Sequence, residues 1–232
     1  LCNLTRLNLS ANRINSIDSN ALSNLSNLNW LNLSENRISS IDEKLFSNQK
    51  NLAELNLSYN EIVSIDSNAF NNLNNLKKLE LDNNLIASID INIFSNLKNL
   101  AELGISYNKI VKIDPETFSN LSHLKKLKLN HNDLTLIDSN TFINLSLIEL
   151  DLSGNQLASI DPNIFSNLRY LIKLDLHYNQ IRSIDLETFD NLANLIYLHI
   201  HNNKITSIDS KAFRNLRNLL WLSLYNKPIT RD

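Results

Sequence analysis

The sequence contains very little glycine, proline and cysteine for its length. Its 232 residues include 2 Gly, 3 Pro, 1 Cys and no Met. So few glycines and prolines disfavour an enzyme that relies on many functional loops and turns. No stretch of about 18 consecutive apolar residues occurs, so no membrane-spanning segment is predicted. No signal peptide is visible, and the first residue is leucine, which indicates that the chain is processed or excised.

An excess of one charge is also absent. The chain has 22 basic and 24 acidic residues and a net charge of −2. A protein that binds nucleic acid or an anionic membrane is expected to be basic, so neither partner is favoured. The chain also lacks a glycine-rich phosphate loop, a G-x-S-x-G turn, an H-E-x-x-H motif and any paired-cysteine motif. The sequence therefore predicts a protein that is not an enzyme, with no catalytic residues and no cofactor.

Leucine and asparagine are abundant instead, and they fall into a repeat. The phrase L-x-x-L-x-L-x-x-N-x-I-x-x-I-D-x-x-x-F-x-N-L-x-x spans 24 residues and recurs in nine complete copies and a shortened tenth. The sixth copy is one residue shorter than the others. We predict a single domain over residues 1–232, and a fragment of a longer protein, because bare ends of such an array would expose core. The copies begin at Leu4, Leu28, Leu52, Leu76, Leu100, Leu124, Leu147, Leu171, Leu195 and Leu219.

Each position of the repeat has a physical role. The L-x-x-L-x-L segment alternates with period two, which predicts a short strand with inward leucines, and stacked copies then form a parallel sheet. The asparagines are expected to satisfy backbone groups where each strand ends, and the phenylalanines to form an aromatic spine. The aspartates are expected to cap short helical turns. Pro115 after Asp114 and Pro162 after Asp161 fit such helix starts.

This pattern resembles the leucine-rich-repeat family over the whole chain. The period and its phenylalanine are similar to the 24-residue subclass found in Toll-like receptor ectodomains, Slit-type guidance proteins and small leucine-rich proteoglycans. The resemblance implies an α/β fold, a right-handed horseshoe solenoid with a concave parallel sheet of about ten strands. It also implies a convex side of short helical turns and loops. Such ectodomains usually carry cysteine-rich caps, but the only cysteine is Cys2, although Lys227 and Pro228 resemble the opening of a C-terminal cap.

The resemblance implies a module that binds a protein partner on the concave sheet, within a secreted or cell-surface receptor or adhesion protein. The alternative is a structural protein that assembles with itself into dimers, filaments or matrix. Seven Asn-x-Ser/Thr sequons fit an extracellular glycoprotein. Their support is weak, because Asn-Leu belongs to the repeat phrase and a following serine completes a sequon. They lie at Asn3, Asn8, Asn24, Asn32, Asn56, Asn120 and Asn144.

Function is expected at the outward positions of the strands, because the leucines are committed to the core. The six middle residues at the third position of the copies alternate in charge, and opposite charges on adjacent strands contribute about 0.2–1 kcal/mol per pair. They predict a ladder of ion pairs. At the next outward position of the strands, Gly104 leaves a gap between Glu80 and Lys128. The third positions are Arg6, Trp30, Glu54, Lys78, Glu102, Lys126, Glu149, Lys173, Tyr197 and Trp221.

Aromatic residues and histidines gather on the last copies. Exposed Trp and Tyr have no role in the core there, and they are enriched at binding hot spots. This group predicts the partner-binding site. It consists of His177, Tyr178, Tyr197, His199, His201, Trp221 and Tyr225.

The spacing of His199 and His201 is one that metal sites use. Three imidazoles with Asp175 beside His199 could ligate zinc. Period-two alternation gives the same spacing to any two outward positions, however, and outward side chains on a sheet are expected to diverge. No metal is therefore predicted. A contact that depends on pH is favoured, because histidine changes its charge near about pH 6.5.

Overall fold

The computed structural model describes residues 2–226, so Lys227 and Pro228 lie outside the described residues. Within residues 2–226 every regular element is a strand of two or three residues. In chain order the strands are β1 (Arg6–Asn8), β2 (Trp30–Asn32), β3 (Ser40–Ile41), β4 (Glu54–Asn56), β5 (Ser64–Ile65), β6 (Lys78–Glu80), β7 (Glu102–Gly104), β8 (Lys126–Lys128), β9 (Glu149–Asp151), β10 (Lys173–Asp175), β11 (Ser183–Ile184), β12 (Tyr197–His199), β13 (Ser207–Ile208) and β14 (Trp221–Ser223).

One parallel sheet of ten strands runs the length of the molecule, as predicted. Its order is β1-β2-β4-β6-β7-β8-β9-β10-β12-β14, so each copy of the repeat pairs with the next. Leu79 pairs with Leu103, 24 residues later, whereas Leu127 pairs with Leu150, 23 residues later. The missing residue of the sixth copy is therefore absorbed outside the sheet. We call the side of this sheet that carries the outward positions the sheet face.

The core is a stack of leucine and phenylalanine layers. The phenylalanines from Phe46 to Phe189 are at most 1% exposed, and Phe213 is partly buried. Four pairs of neighbouring rings stack with centroids 6.0–6.3 Å apart. The predicted aromatic spine is confirmed. Because each copy buries its apolar side chains against the next copy, the stability of the solenoid comes from stacking between neighbours.

A column of buried asparagines closes the ends of the strands. The Asn36 amide nitrogen donates to the carbonyls of Leu9 (2.9 Å), Leu33 (3.1 Å) and Ser34 (3.1 Å). Its amide oxygen accepts from the backbone N–H of Ile14 at 3.0 Å. One side chain thus joins two turns of the solenoid and satisfies backbone groups that the sheet leaves unpaired. The predicted role of the asparagines is confirmed.

The side opposite the sheet differs from the prediction. No helix occurs within residues 2–226, so the expected short helical turns, and with them the helical part of an α/β fold, are wrong there. The aspartates do act as caps: Asp114 Oδ1 accepts from the N–H of Glu116 at 3.0 Å. However, the backbone bonds that follow, such as Thr117 N–H to Asp114 O at 3.0 Å, reach back three residues. Single turns in succession result, whereas an α-helix needs consecutive bonds over four residues.

Two short parallel pairs, β3 with β5 and β11 with β13, also lie outside the main sheet. The described part of the chain contains no helix that could cross a membrane.

Gln49 is a buried polar residue in the apolar core, and its replacement by leucine is expected to stabilise the protein. Its side chain is fully buried, its nitrogen donates to the Leu22 carbonyl at 2.8 Å, and its oxygen has no hydrogen-bond partner. The Leu22 carbonyl also accepts from the N–H of Leu25 at 2.9 Å, so it stays satisfied without Gln49. Gln49→Leu is therefore expected to raise the free energy of unfolding by about 1–2 kcal/mol in urea denaturation.

The matched control is Leu73→Gln, at the equivalent buried position of the next copy. This change buries an amide in an apolar layer and is expected to cost about 2–3 kcal/mol. A loss of stability in Gln49→Leu would show that the buried amide is a favourable feature of this layer.

Candidate functional site on the sheet face

The middle of the sheet face carries ion pairs, in part as predicted. The Lys126 ammonium lies 3.6 Å from a Glu149 carboxylate oxygen and 3.9 Å from one of Glu102, across both neighbouring strands. Lys78 instead contacts Glu80, two residues along its own strand, at 2.8 Å. These side chains are partly exposed, so each pair contributes at most about 1 kcal/mol. Glu102, Lys126 and Glu149 thus pair as predicted, whereas Glu54 and Lys173 form no ion pair with the described residues.

The gap expected at Gly104 is filled. The carboxylate of Asp82, from the neighbouring copy, occupies the place that a side chain at position 104 would take. Asp82 Oδ1 accepts from the N–H of Ser106 at 2.6 Å. Burial raises the pKa of the Asp82 carboxyl, although the hydrogen bonds from Ser106 oppose this effect. Gly104 therefore makes room for an internal carboxylate, and a ligand side chain would have to displace it.

The predicted site is organised around the carboxylate of Asp175, which is only 5% exposed at the end of β10. His177 Nδ1 contacts one of its oxygens, and His199 Nδ1 lies 3.1 Å from the other. The two imidazoles therefore converge on one carboxylate, whereas outward side chains were expected to diverge. The expectation fails because Asp175 and His199 are paired across β10 and β12, and His177 follows directly in the next outward position.

These contacts shift the pKa values of both partners. Burial alone would raise the pKa of Asp175, but the hydrogen bond and charge of His177 and the hydrogen bond of His199 outweigh it and lower that pKa. The hydrogen bond to Asp175 raises the pKa of His177, against the opposing effect of burial. His177 therefore keeps its positive charge to a higher pH than a free imidazole does.

A ladder of stacked rings lies beside this carboxylate. The rings of His177 and His201 are 4.6 Å apart and tilted by 8°, and those of His201 and Tyr225 are 4.8 Å apart and tilted by 16°. Tyr178 meets His177 edge-on at 5.1 Å. Successive copies place these residues about one strand spacing, or 4.8 Å, apart, which suits ring stacking. The equivalent position in most earlier copies is serine, at Ser10, Ser34, Ser58, Ser106 and Ser153.

Tyr197 and Trp221 are paired in register across β12 and β14. Trp221 is 58% exposed and Tyr197 is 43% exposed, so both rings are available to a partner. The Trp221 indole N–H donates to Ser223 Oγ at 3.0 Å, which orients the ring. The structure thus brings His177, Tyr178, His199, His201 and Tyr225 into one cluster and sets Tyr197 and Trp221 on the strands beside it.

Among residues 2–226 no group of three or more His, Cys, Asp and Glu side chains is placed to hold a metal ion. Both histidine Nδ1 atoms that converge here face the same carboxylate.

The structure also contains a surface groove that was not predicted from the sequence. An open apolar groove of about 730 Å³ lies on the flank of the solenoid, beside the N-terminal ends of the last strands. Its floor is formed by Ile148, Ile172, Ile196 and Leu220, and we call it the flank groove. These four residues occupy the second position of the last four copies, so a change at this position is visible in the sequence. There the first six copies carry Thr5, Asn29, Ala53, Lys77, Ala101 and Lys125.

Comparison with known proteins agrees with this architecture. The family model for a BspA-type leucine-rich-repeat region matches residues 87–220, with six copies, and a second leucine-rich-repeat model matches residues 2–62 and 50–110. No curated protein matches the chain.

Three solved structures show the same fold. A chain of the TLR13–ssRNA13 complex is 34% identical over 88% of this chain and 30% of that chain, with a TM-score of 0.83. A leucine-rich-repeat protein of Leptospira interrogans is 30% identical over 100% of this chain and 63% of that chain, with a TM-score of 0.75. A chain of the octameric complex of Latrophilin 3, Unc5D and FLRT2 is 28% identical over 100% and 78% of the two chains, with a TM-score of 0.78.

The chain spans 30% of the length of the first of these relatives and 63% of the second. The family models together cover residues 2–220, which include every strand of the main sheet except β14. The chain belongs to the leucine-rich-repeat family.

Proposed function

We propose that this chain is a protein-recognition module that docks a protein partner on the C-terminal part of its sheet face. The observation that carries the proposal is the cluster of exposed aromatic side chains on β12, β14 and the turns beside them. Tyr178, Tyr197, Trp221 and Tyr225 are 43–58% exposed, and Tyr197 and Trp221 stand on the paired strands β12 and β14. Aromatic side chains on a rigid base lose little conformational entropy on binding.

The similar structures support recognition of a macromolecule. One relative is in a complex with Latrophilin 3 and Unc5D, and another is in a complex with single-stranded RNA. We favour a protein partner here, because the net charge of −2 and the buried Asp175 carboxylate do not suit a phosphate backbone. Catalysis and a cofactor are not part of the proposal.

We place the module in a secreted or cell-surface receptor or adhesion protein. The similarity of its period to the extracellular 24-residue subclass supports this location, and the sequons are consistent with it. The alternative of self-assembly predicts that the isolated protein forms oligomers, which light scattering detects.

The test uses Trp221→Ala combined with Tyr197→Ala. A display library of secreted and cell-surface protein domains is screened with the wild-type chain, and the affinity of each hit is measured for the variant. We expect the variant to weaken binding at least about tenfold, or 1.4 kcal/mol. Trp30→Ala is the matched control, because Trp30 occupies the same column on β2, at the other end of the sheet.

Light scattering at micromolar concentration distinguishes recognition of a partner protein from self-assembly. A wild-type oligomer that the double variant dissolves would assign the aromatic cluster to self-assembly. A hit whose affinity falls with Trp30→Ala and not with the double variant would move the site to the N-terminal end of the sheet face.

A further inference from the structure

The flank groove is a continuous apolar stripe. The N–H of Ile172 donates to the carbonyl of Ile148 at 2.8 Å, that of Ile196 to Ile172 at 2.8 Å, and that of Leu220 to Ile196 at 3.0 Å. The four side chains therefore step along the flank at about one strand spacing each, over about 14 Å. The isoleucines are half-buried, and Leu220 is 80% exposed. Apolar side chains grouped in this way favour contact with another molecule, because such contact removes them from water.

A seam of asparagine side chains that runs along this flank is interrupted at one end of the groove. Along the first copies, an asparagine at the end of each copy donates to a carbonyl of the preceding turn, as Asn75 does to Lys50 O at 2.9 Å. Asn27, Asn51 and Asn99 make the same bond. Ser146 and Tyr170 take this place at the ends of the sixth and seventh copies, and the seam resumes with Asn194 and Asn218, which donate to Arg169 O at 2.8 Å and Ala193 O at 3.0 Å. The equivalent groove at the N-terminal end is lined mainly by asparagines.

The charges at the groove have one sign. Lys125 and Arg217 are the charged residues among the described residues that line it, and they lie toward its two ends. The Lys125 ammonium donates to the Ser146 carbonyl at 3.2 Å, which holds it at the rim. An apolar floor between two cations complements an apolar segment bracketed by carboxylates. A second copy of the chain, turned about a twofold axis, would bring Lys125 against Arg217, and like charges oppose that pairing.

The backbone groups of the groove floor are already hydrogen-bonded to one another, so an added strand could not pair with them. The N–H groups of Ile196 and Tyr197 both donate to the Ile172 carbonyl, at 2.8 and 3.0 Å. The N–H groups of Leu220 and Trp221 share the Ile196 carbonyl in the same way, both at 3.0 Å. An extended peptide gains its affinity from backbone pairing at a free edge, whereas a helix satisfies its own backbone and offers side chains alone.

We propose that the flank groove binds an amphipathic helix of a partner protein whose apolar stripe is bracketed by acidic residues. A stripe of 14 Å corresponds to about ten residues of helix, since the rise is about 1.5 Å per residue. The leucines or similar residues of such a helix pack on Ile172 and Ile196, and its carboxylates meet Lys125 and Arg217. This surface lies on the flank, so the inference does not depend on the partner of the sheet face.

The probe is a synthetic, fluorescently labelled helical peptide with leucines at i, i+3, i+4 and i+7 and glutamates at both ends. Fluorescence anisotropy with the wild-type chain is expected to show saturable binding that weakens with salt. Ile172→Lys is expected to weaken binding at least about tenfold. This variant retains the fold, because Lys77 and Lys125 occupy the same position in other copies; a thermal melt monitored by circular dichroism verifies it.

Two controls make the result specific. Ala53→Lys changes the same column outside the groove and is expected to leave the affinity unchanged. Exchanging the glutamates of the peptide for lysines is expected to abolish binding, and Lys125→Glu with Arg217→Glu is expected to restore it for the lysine peptide.

Four outcomes would overturn the proposal. The first is equal affinity of the wild type and Ile172→Lys for the peptide, and the second is no saturable binding to either. The third is a wild-type dimer, seen by light scattering, that Ile172→Lys dissolves, because it would assign the groove to a second copy. Loss of peptide binding in the Trp221 and Tyr197 double variant alone would equally place the helix on the sheet face.

Discussion

Replacing Asn108 with alanine is expected to lower the free energy of unfolding by about 3–5 kcal/mol. Its amide nitrogen donates to the carbonyls of Leu81 (3.0 Å), Ile105 (3.3 Å) and Ser106 (3.1 Å), and its oxygen accepts from Ile86 N–H at 3.0 Å. Alanine would leave at least one buried donor and one buried carbonyl without their partners, in a position that is only 8% exposed. Urea denaturation measures the difference.

The matched control is Asn12→Ala, in the same column of the first copy. Asn12 is exposed, and its amide donates to the carbonyls of Leu9 and Ser10 at 3.0 and 3.1 Å. Water can replace those bonds, so this change is expected to cost no more than about 1 kcal/mol. Equal costs for the two variants would contradict the role of burial, and a cost of less than 1 kcal/mol in both would show that the asparagine column is dispensable.

Replacing Asp175 with asparagine is expected to lower stability by about 1.5–3 kcal/mol in weakly acidic solution, because hydrogen bonds to charged groups are stronger than neutral ones. The effect is expected to shrink toward alkaline pH. An asparagine keeps the shape of the side chain and can still bond to neutral imidazoles, so most of the loss comes from the charged pair with His177.

The sign follows from the two pKa shifts. The pKa of His177 is raised above its ordinary value of 6.5, so its contribution to stability is complete below pH 6.5 and is lost as the pH rises through the raised value. The pKa of Asp175 is lowered below 3.8, so its contribution is present above pH 3.8 and is lost as the pH falls through the lowered value. The pair therefore stabilises the fold most between pH 3.8 and 6.5.

Denaturation of the wild type and Asp175→Asn across this range, and up to pH 9 or so, tests the prediction. Asp151→Asn is the matched control, because Asp151 occupies the same position one copy earlier and bonds to the N–H and hydroxyl of Ser153 at 3.0 and 2.6 Å. The cost of the control is expected to change less with pH, since Asp151 acts on His177 through its charge and without a hydrogen bond. A constant difference between wild type and Asp175→Asn would rule out the charged pair.

The parts of the structure that follow the repeat could be predicted from the sequence. The strands, the buried asparagines and the phenylalanine spine each depend on one residue type that returns at one position, and neighbouring copies supply identical surroundings. The single turns opposite the sheet could not be predicted, because an aspartate cap serves a helix and an isolated turn equally well. The difference lies in the number of consecutive backbone bonds, which the cap does not determine.

The candidate site was predicted in composition but not in geometry. The sequence places His177, His199 and Asp175 on adjacent copies, but their convergence depends on the directions that the side chains take from the strands. The filling of Gly104 by Asp82 has the same origin, since a side chain of one copy enters a space left by the next. The flank groove does not follow from the leucine repeat, because it depends on the position just before each strand, where polar or small residues give way to large aliphatic ones.

The uniform pairing of the main sheet has a consequence for how the chain reaches this structure. Every strand pair in it joins residues 24 apart, or 23 apart at the shortened copy. Each pairing therefore closes a loop of the same length and carries nearly the same entropy cost, wherever it occurs along the chain. Folding can begin at any well-packed pair and grow outward by one turn at a time. A longer array of such repeats would add steps of this kind without making any single step slower.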